Sequence, residues 1–242
     1  MPIVLYKKYF KEEIRQKDFY LNKYRGILVL VTCSYKGTLP GTEADRAEME
    51  LTFKRLGYNV VQLCNEGATK SAIKTTLIQL SDYLSRYCGP TTDRALVFAF
   101  SGHGGRGDKL VSRDRKSLSL MNDILRRFVK HPGMRRIPKL FFIDACRGSN
   151  KITKSLEQTV KDFEATTKGL SHEEGNFLIA HATIDEHVAH DRYWMHKLAK
   201  RIRENLNVPL TKILDDLAGD VPWQQQPEYT SRLRGSFDFR IN

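Results

Sequence analysis

The chain has 242 residues, 40% of them hydrophobic, and 40 Lys and Arg against 28 Asp and Glu give it a formal net charge of +12. That length holds one domain with a full core. No apolar run approaches the roughly 20 residues a membrane-spanning helix needs, and the charge-broken start MPIVLYKKYFKEEIRQKDFY has no secretory core.

Residues 1–24 read as a short, polar, Lys-rich lead. GILVLVT, Gly26–Thr32, is the first buried strand, an unbroken apolar run of strand length. Thr42–Leu56 is predicted helical, with Met49, Phe53 and Leu56 on one face, and Gly57 ends it. Tyr58–Leu63 is the second strand. Thr69–Tyr87 is the most periodic stretch: Ile73, Leu77, Leu80 and Leu84 form a core-facing stripe, and Cys88-Gly89-Pro90 stops it. Arg94–Phe100 is the third strand. Ser117–Val129 is predicted as a helix with Leu120, Ile124 and Phe128 inward. The KLFF run from Lys139 opens the fourth strand, and Phe177–Ala182 is the fifth. Between them, 149–176 is polar and reads as a linker, unusually long inside a compact domain. Trp194–Leu206 and Pro209–Ala218 are helices, the second with Leu210, Ile213, Leu214 and Leu217 inward. Strands alternating with helices imply a three-layer α/β sandwich, with a mostly parallel sheet of about six strands covered on both faces.

Two strand ends carry the chemistry. LVFAFSGHGG places His103 among glycines, and KLFFIDACRG places Cys146 after a buried run. The carboxyl ends of parallel strands are where ligands gather in open α/β sheets. A thiolate is the nucleophile, and a nearby imidazole can take its proton and return it to a leaving amine. The Gly104 and Cys146 amides are placed to stabilise an oxyanion. Cys33, Cys64, Cys88 and Cys146 form no C-x-x-C pair, which suits thiols in a reducing, cytoplasmic setting.

Ser101-Gly102-His103-Gly104-Gly105, followed 43 residues after the histidine by the cysteine of Asp144-Ala145-Cys146-Arg147-Gly148, resembles the two catalytic motifs of the caspase-type cysteine proteases. The resemblance runs from about Arg25 to the C-terminus. It implies the caspase-like fold and a cysteine endopeptidase with catalytic His103 and Cys146. It also implies a large-subunit-like region at 25–148, an intersubunit linker at 149–176 and a small-subunit-like region at 177–242. The tail PEYTSRLRGSFDF resembles a small-subunit end whose strand pairs across a homodimer.

The resemblance breaks down at the primary pocket. Caspases that cut after aspartate use two arginines and the glutamine of the cysteine motif. Here the glutamine position is Asp144, and the arginine positions align with Leu39 and Asp191. Asp45, Asp144 and Asp191 look like the acidic pocket of paracaspases and metacaspases, which cut after Arg or Lys. A guanidinium would pair with such carboxylates, whereas an aspartyl substrate would be repelled. The alternatives are an Asp-cutting caspase with a rearranged pocket, which a one-residue slip to Arg192 would restore, and a non-catalytic scaffold. The linker carries Lys151, Lys154, Lys161 and Lys168 as candidate self-processing sites. The expected partner is a protein or peptide substrate, with no membrane, no cofactor and no metal. The basic cluster Arg126, Arg127, Lys130, Arg135, Arg136 and Lys139 reads as a solvated face, since few aromatics accompany it for nucleic-acid stacking.

Overall fold

The computed structural model describes residues 25–35, 38–87, 95–131, 134–147, 175–184, 194–221 and 225–240. The expected N-terminal lead, all but the last two residues of the expected linker, Gly148 and the loop carrying Asp191 and Arg192 lie outside them.

Along the described residues the chain runs β1 (Gly26–Thr32), α1 (Gly41–Arg55), β2 (Tyr58–Cys64), α2 (Lys70–Tyr87), β3 (Ala95–Ser101), β4 (Gly104–Gly105), β5 (Lys109–Val111) and β6 (Ser117–Ser119). A π-helical turn, Leu120–Leu125, then leads into α3 (Arg126–Val129), followed by β7 (Lys139–Asp144), β8 (Phe177–His181), α4 (Trp194–Glu204), α5 (Leu210–Ala218) and β9 (Glu228–Ser231). The main sheet has six strands in the order β2-β1-β3-β7-β8-β9. All its pairings are parallel except β8 with β9.

Because side chains alternate along a strand, each central strand feeds two cores. Ile27, Val29 and Val31 of β1 pack with Phe98, Phe141, the stripe of α2 and the segment 120–129. Leu28 and Leu30 face the other way, towards α1, α4 and α5 through Met49, Phe53, Leu198 and Leu214. The sandwich is therefore three layers deep, and the apolar runs are strands because both faces are covered.

Three expectations change. Ser117–Ser119 is not the start of a helix; it is the third strand of a small antiparallel sheet, β4-β5-β6. The helix starts at Leu120 because the Ser119 hydroxyl accepts the Asn122 N–H and the Asp123 carboxylate accepts the Ser119 N–H. Lys139 does not belong to the solvated basic face. It is fully buried, and its ammonium donates to the Met134 and Ile137 carbonyls at 2.7 Å each. Asn176 does not behave as linker: it is buried, and its amide donates to the Arg136 carbonyl while its backbone N–H donates to that of Arg232. Among the described residues no helix is long and apolar enough to cross a membrane.

Candidate active site

Sheet register brings the two motifs together. Thr32, Ser101 and Asp144 are the last residues of β1, β3 and β7, and they stand side by side in the ladder. The ladder continues one step further: Cys33 N–H donates to the Ser101 carbonyl, and Gly102 N–H to that of Asp144. His103 follows Ser101 by two residues, as Cys146 follows Asp144. Equal offsets from a matched pair of strand ends put both side chains at one end of the sheet, and both line the same small cavity.

Gly104 lets the loops close. A Cβ there would lie 2.3 Å from the Cys146 carbonyl oxygen and 2.9 Å from the Ala145 Cβ. The His103 carbonyl accepts from Val111 N–H, so Gly104 and Leu110 face each other as a pair without mutual hydrogen bonds. The Gly104 N–H therefore points away from β5, out of the ladder. Of the thiols, burial pushes that of Cys33 up to about 12, leaving it inert. Cys64 and Cys146 are half-buried, and all three are free of disulfides.

Leu39, Thr42, Asp45, Ser101, Gly102 and Asp144 complete the cavity, which encloses about 40 Å³. That holds one water-sized group. Asp45 projects from α1 and is 1% exposed; its carboxylate accepts the Ser101 hydroxyl at 2.7 Å. Asp144 is also buried, and its carboxylate accepts the Met195 N–H at 3.1 Å. It thus satisfies a first-turn donor of α4, where the helix dipole favours negative charge. Of the predicted site residues, His103, Cys146, Asp45 and Asp144 are gathered here, with Gly104 beside them. Asp191, Lys151, Lys154, Lys161 and Lys168 lie outside the described residues.

Several neighbours escape sequence reasoning. Ser101 is read there only as part of a glycine motif. Tyr35 packs its ring on that of His103, with centroids 4.4 Å apart. Arg115 lies over the Tyr35 ring. Burial, and then the Arg115 charge, hold the His103 imidazole below its ordinary pKa. Arg147, next to the cysteine, pairs with Asp108 at 2.9 Å and with Glu228 of β9. His181 lies behind Asp108, 4.0 Å away and buried. None of these contacts has a short-range sequence signal.

Comparison with known proteins identifies the family. Residues 25–238 match the family described as Caspase domain. Caspase-8 of Mus musculus is 26% identical over 181 residues, which are 68% of this chain and 35% of that protein. Caspase-8 of Rattus norvegicus is 24% identical over 182 residues, 68% of this chain and 36% of that protein. The chain thus spans about a third of the length of these relatives. Among solved structures, Caspase-1 from Spodoptera frugiperda superposes with a TM-score of 0.65 at 21% identity, covering 90% of each chain. The Drosophila initiator caspase Dronc gives a TM-score of 0.61 at 16% identity, covering 90% of this chain and 84% of that one. At such identities the structural likeness speaks for the fold alone.

Proposed function

The chain belongs to the caspase family, and from that premise we propose that it is a cysteine endopeptidase that cuts proteins or peptides after Arg or Lys. Cys146 attacks the scissile carbonyl, and His103 takes the thiol proton and delivers it to the leaving amine. The Gly104 and Cys146 amides hold the oxyanion. Asp45, Asp144 and Asp191 receive the basic side chain.

The observation that carries the reading is the composition of one cavity. His103 and Cys146 share it with two buried carboxylates, and among the described residues the remaining wall is Leu39, Thr42, Ser101 and Gly102 rather than a base. A guanidinium between Asp45 and Asp144 gains charge-assisted hydrogen bonds. A substrate carboxylate in the same place adds a third buried negative charge. Admitting a long basic side chain parts the walls of a cavity that holds about 40 Å³.

The test is a peptide library varied at the residue before the cut, assayed with and without calcium. Arg and Lys peptides are expected to be cleaved and Asp peptides ignored, with all activity lost in Cys146→Ala. Asp144→Asn keeps an acceptor for Met195 N–H and is expected to erode the Arg preference. Cleavage after Asp alone would overturn the specificity. Failure of an electrophilic peptide to label Cys146 would favour a non-catalytic scaffold.

Three further readings belong to this proposal. Self-processing occurs in the linker after Lys151, Lys154, Lys161 or Lys168, which mass spectrometry of wild type and Cys146→Ala would locate. The chain forms a homodimer through β9, which stands at the sheet edge with one side paired to β8; sedimentation would give the mass. It works in the cytoplasm, consistent with thiols in place of disulfides among the described cysteines.

A further inference from the structure

The imidazole is held by two residues that belong to neither catalytic motif. Tyr35 lies just beyond β1 and is 2% exposed. Its ring packs against His103 with the planes 31° apart. Its hydroxyl accepts the His103 backbone N–H at 3.2 Å and donates to the Val111 carbonyl. Val111 N–H in turn donates to the His103 carbonyl at 2.9 Å. Both sides of the His103 main chain are therefore tied, one through the phenol and one through β5. The Arg115 guanidinium sits 4.9 Å from the centre of the same ring, a cation–π distance.

The backbone carries an independent mark of this role. Tyr35 has φ 47° and Arg115 φ 59°, in the left-handed region that large side chains rarely adopt. Asn65, whose side chain accepts the Ser34 hydroxyl beside Tyr35, has φ 47° as well. Such conformations persist only where the surroundings enforce them, and they gather at functional sites. Here they come from three separate loops.

We infer that Tyr35 and Arg115 are positioning residues for His103: the phenol fixes the plane and main chain of the imidazole, and the guanidinium over the phenol disfavours a second positive charge on it. The inference rests on reading His103 as the general base. Among the described residues, the titratable and charged groups around His103 are Tyr35 after β1, Arg115 between β5 and β6, Asp45 on α1, and Asp144 and Cys146 at the end of β7. Burial, and then the Arg115 charge, oppose an imidazolium. The ring therefore stays neutral to lower pH than a free histidine. A neutral imidazole is the form that accepts the thiol proton.

The test is an NMR titration of the whole chain with isotope-labelled histidine, the His103 signal being identified by its loss in His103→Ala. Arg115→Gln is expected to raise the His103 midpoint. The acid limb of kcat/KM for a peptide substrate is expected to move with it. Tyr35→Phe keeps the ring and removes the hydroxyl; kcat is expected to fall about tenfold at unchanged KM. An unmoved midpoint in Arg115→Gln overturns the role given to Arg115, and wild-type kcat in Tyr35→Phe overturns that given to Tyr35. A merely structural role would lower Tm without moving the midpoint. If the wild-type chain neither cleaves peptides nor is labelled at Cys146, the endopeptidase reading falls, while the titration still decides whether Arg115 sets the charge of His103.

Discussion

Adding one methyl group at Gly104 tests whether the two catalytic loops are held together as described. The new Cβ would stand 2.3 Å from the Cys146 carbonyl oxygen, 2.9 Å from the Ala145 Cβ and 3.1 Å from the Lys109 carbonyl oxygen. Two of these neighbours are backbone atoms, which cannot swing aside as a side chain can. To restore ordinary contact the Cys146 carbonyl must retreat by about 1 Å. Overpacking of this kind costs about 1–3 kcal/mol. At roughly 2–4 °C per kcal/mol for a chain of this size, Tm falls by a few degrees to about ten. The catalytic loss should be larger, because a displacement of about 1 Å at a reacting group costs on the order of 100-fold in rate. Gly105 supplies the control, since a Cβ there meets nothing within 4 Å. Gly105→Ala is expected to stay within about twofold of wild type, as open surface sites do. The assay pairs peptide hydrolysis with alkylation of Cys146 and a thermal melt. Full activity in Gly104→Ala, or equal damage in both variants, would refute the close approach as the reason for the glycine.

Ser101→Ala removes the hydroxyl that Asp45 accepts at 2.7 Å. It should cost about 1.5–3 kcal/mol in urea unfolding, the range for hydrogen bonds to charged groups; an unchanged midpoint would deny the bond its role. Arg147→Met withdraws the cation that joins Asp108 and Glu228, and breaking such a half-buried cluster should cost about 3 kcal/mol. Arg147→Lys is expected not to restore it, because one ammonium cannot reproduce a forked contact; a lysine of wild-type stability would contradict that. Burial holds the His181 imidazole down to about 3 and the Lys139 ammonium down to about 7, from ordinary values of 6.5 and 10.5. In each window the unfolded chain binds the proton more readily, so stability rises with pH from about 3 to 6.5 and again from about 7 to 10.5. Each slope is at most about 1.4 kcal/mol per pH unit. His181→Gln should flatten only the acid window and Lys139→Met only the alkaline one, read as unfolding midpoints against pH; a variant that left its own window unchanged would remove that group as the cause.

What was legible in the sequence follows the range of the interactions. GILVLVT and KLFF announce strands because a strand covered on both faces needs an uninterrupted apolar run. The stripe of α2 announces itself because its partners recur within one helix. The small β4-β5-β6 sheet does not: strands of two and three residues are too short to show alternation, and their pairing depends on turns at Asp108 and Arg115 with φ 53° and 59°. Lys139 misleads for a similar reason. It stands near surface arginines in sequence, but the chain enters β7 there, and every position of that strand is buried. Tyr35 and His103 lie 68 residues apart, and nothing local marks them as partners.

The acidic cavity reconciles a net charge of +12 with the proposed preference for basic substrates. Charges at the surface act through water and salt, and beyond a Debye length of about 8 Å their field is largely screened. Asp45 and Asp144 are buried, where screening is weak, and each is fixed by a donor from a different element: the Ser101 hydroxyl and the first turn of α4. Those donors stabilise the carboxylates where they stand. A guanidinium entering the cavity would meet carboxylates already held in place, once the walls have parted to admit it. The global charge then acts on encounter, slowing the approach of a cationic segment, while the cavity decides which side chain can stay. Raising the ionic strength should therefore speed association with Arg peptides while leaving their preference over Asp peptides in place.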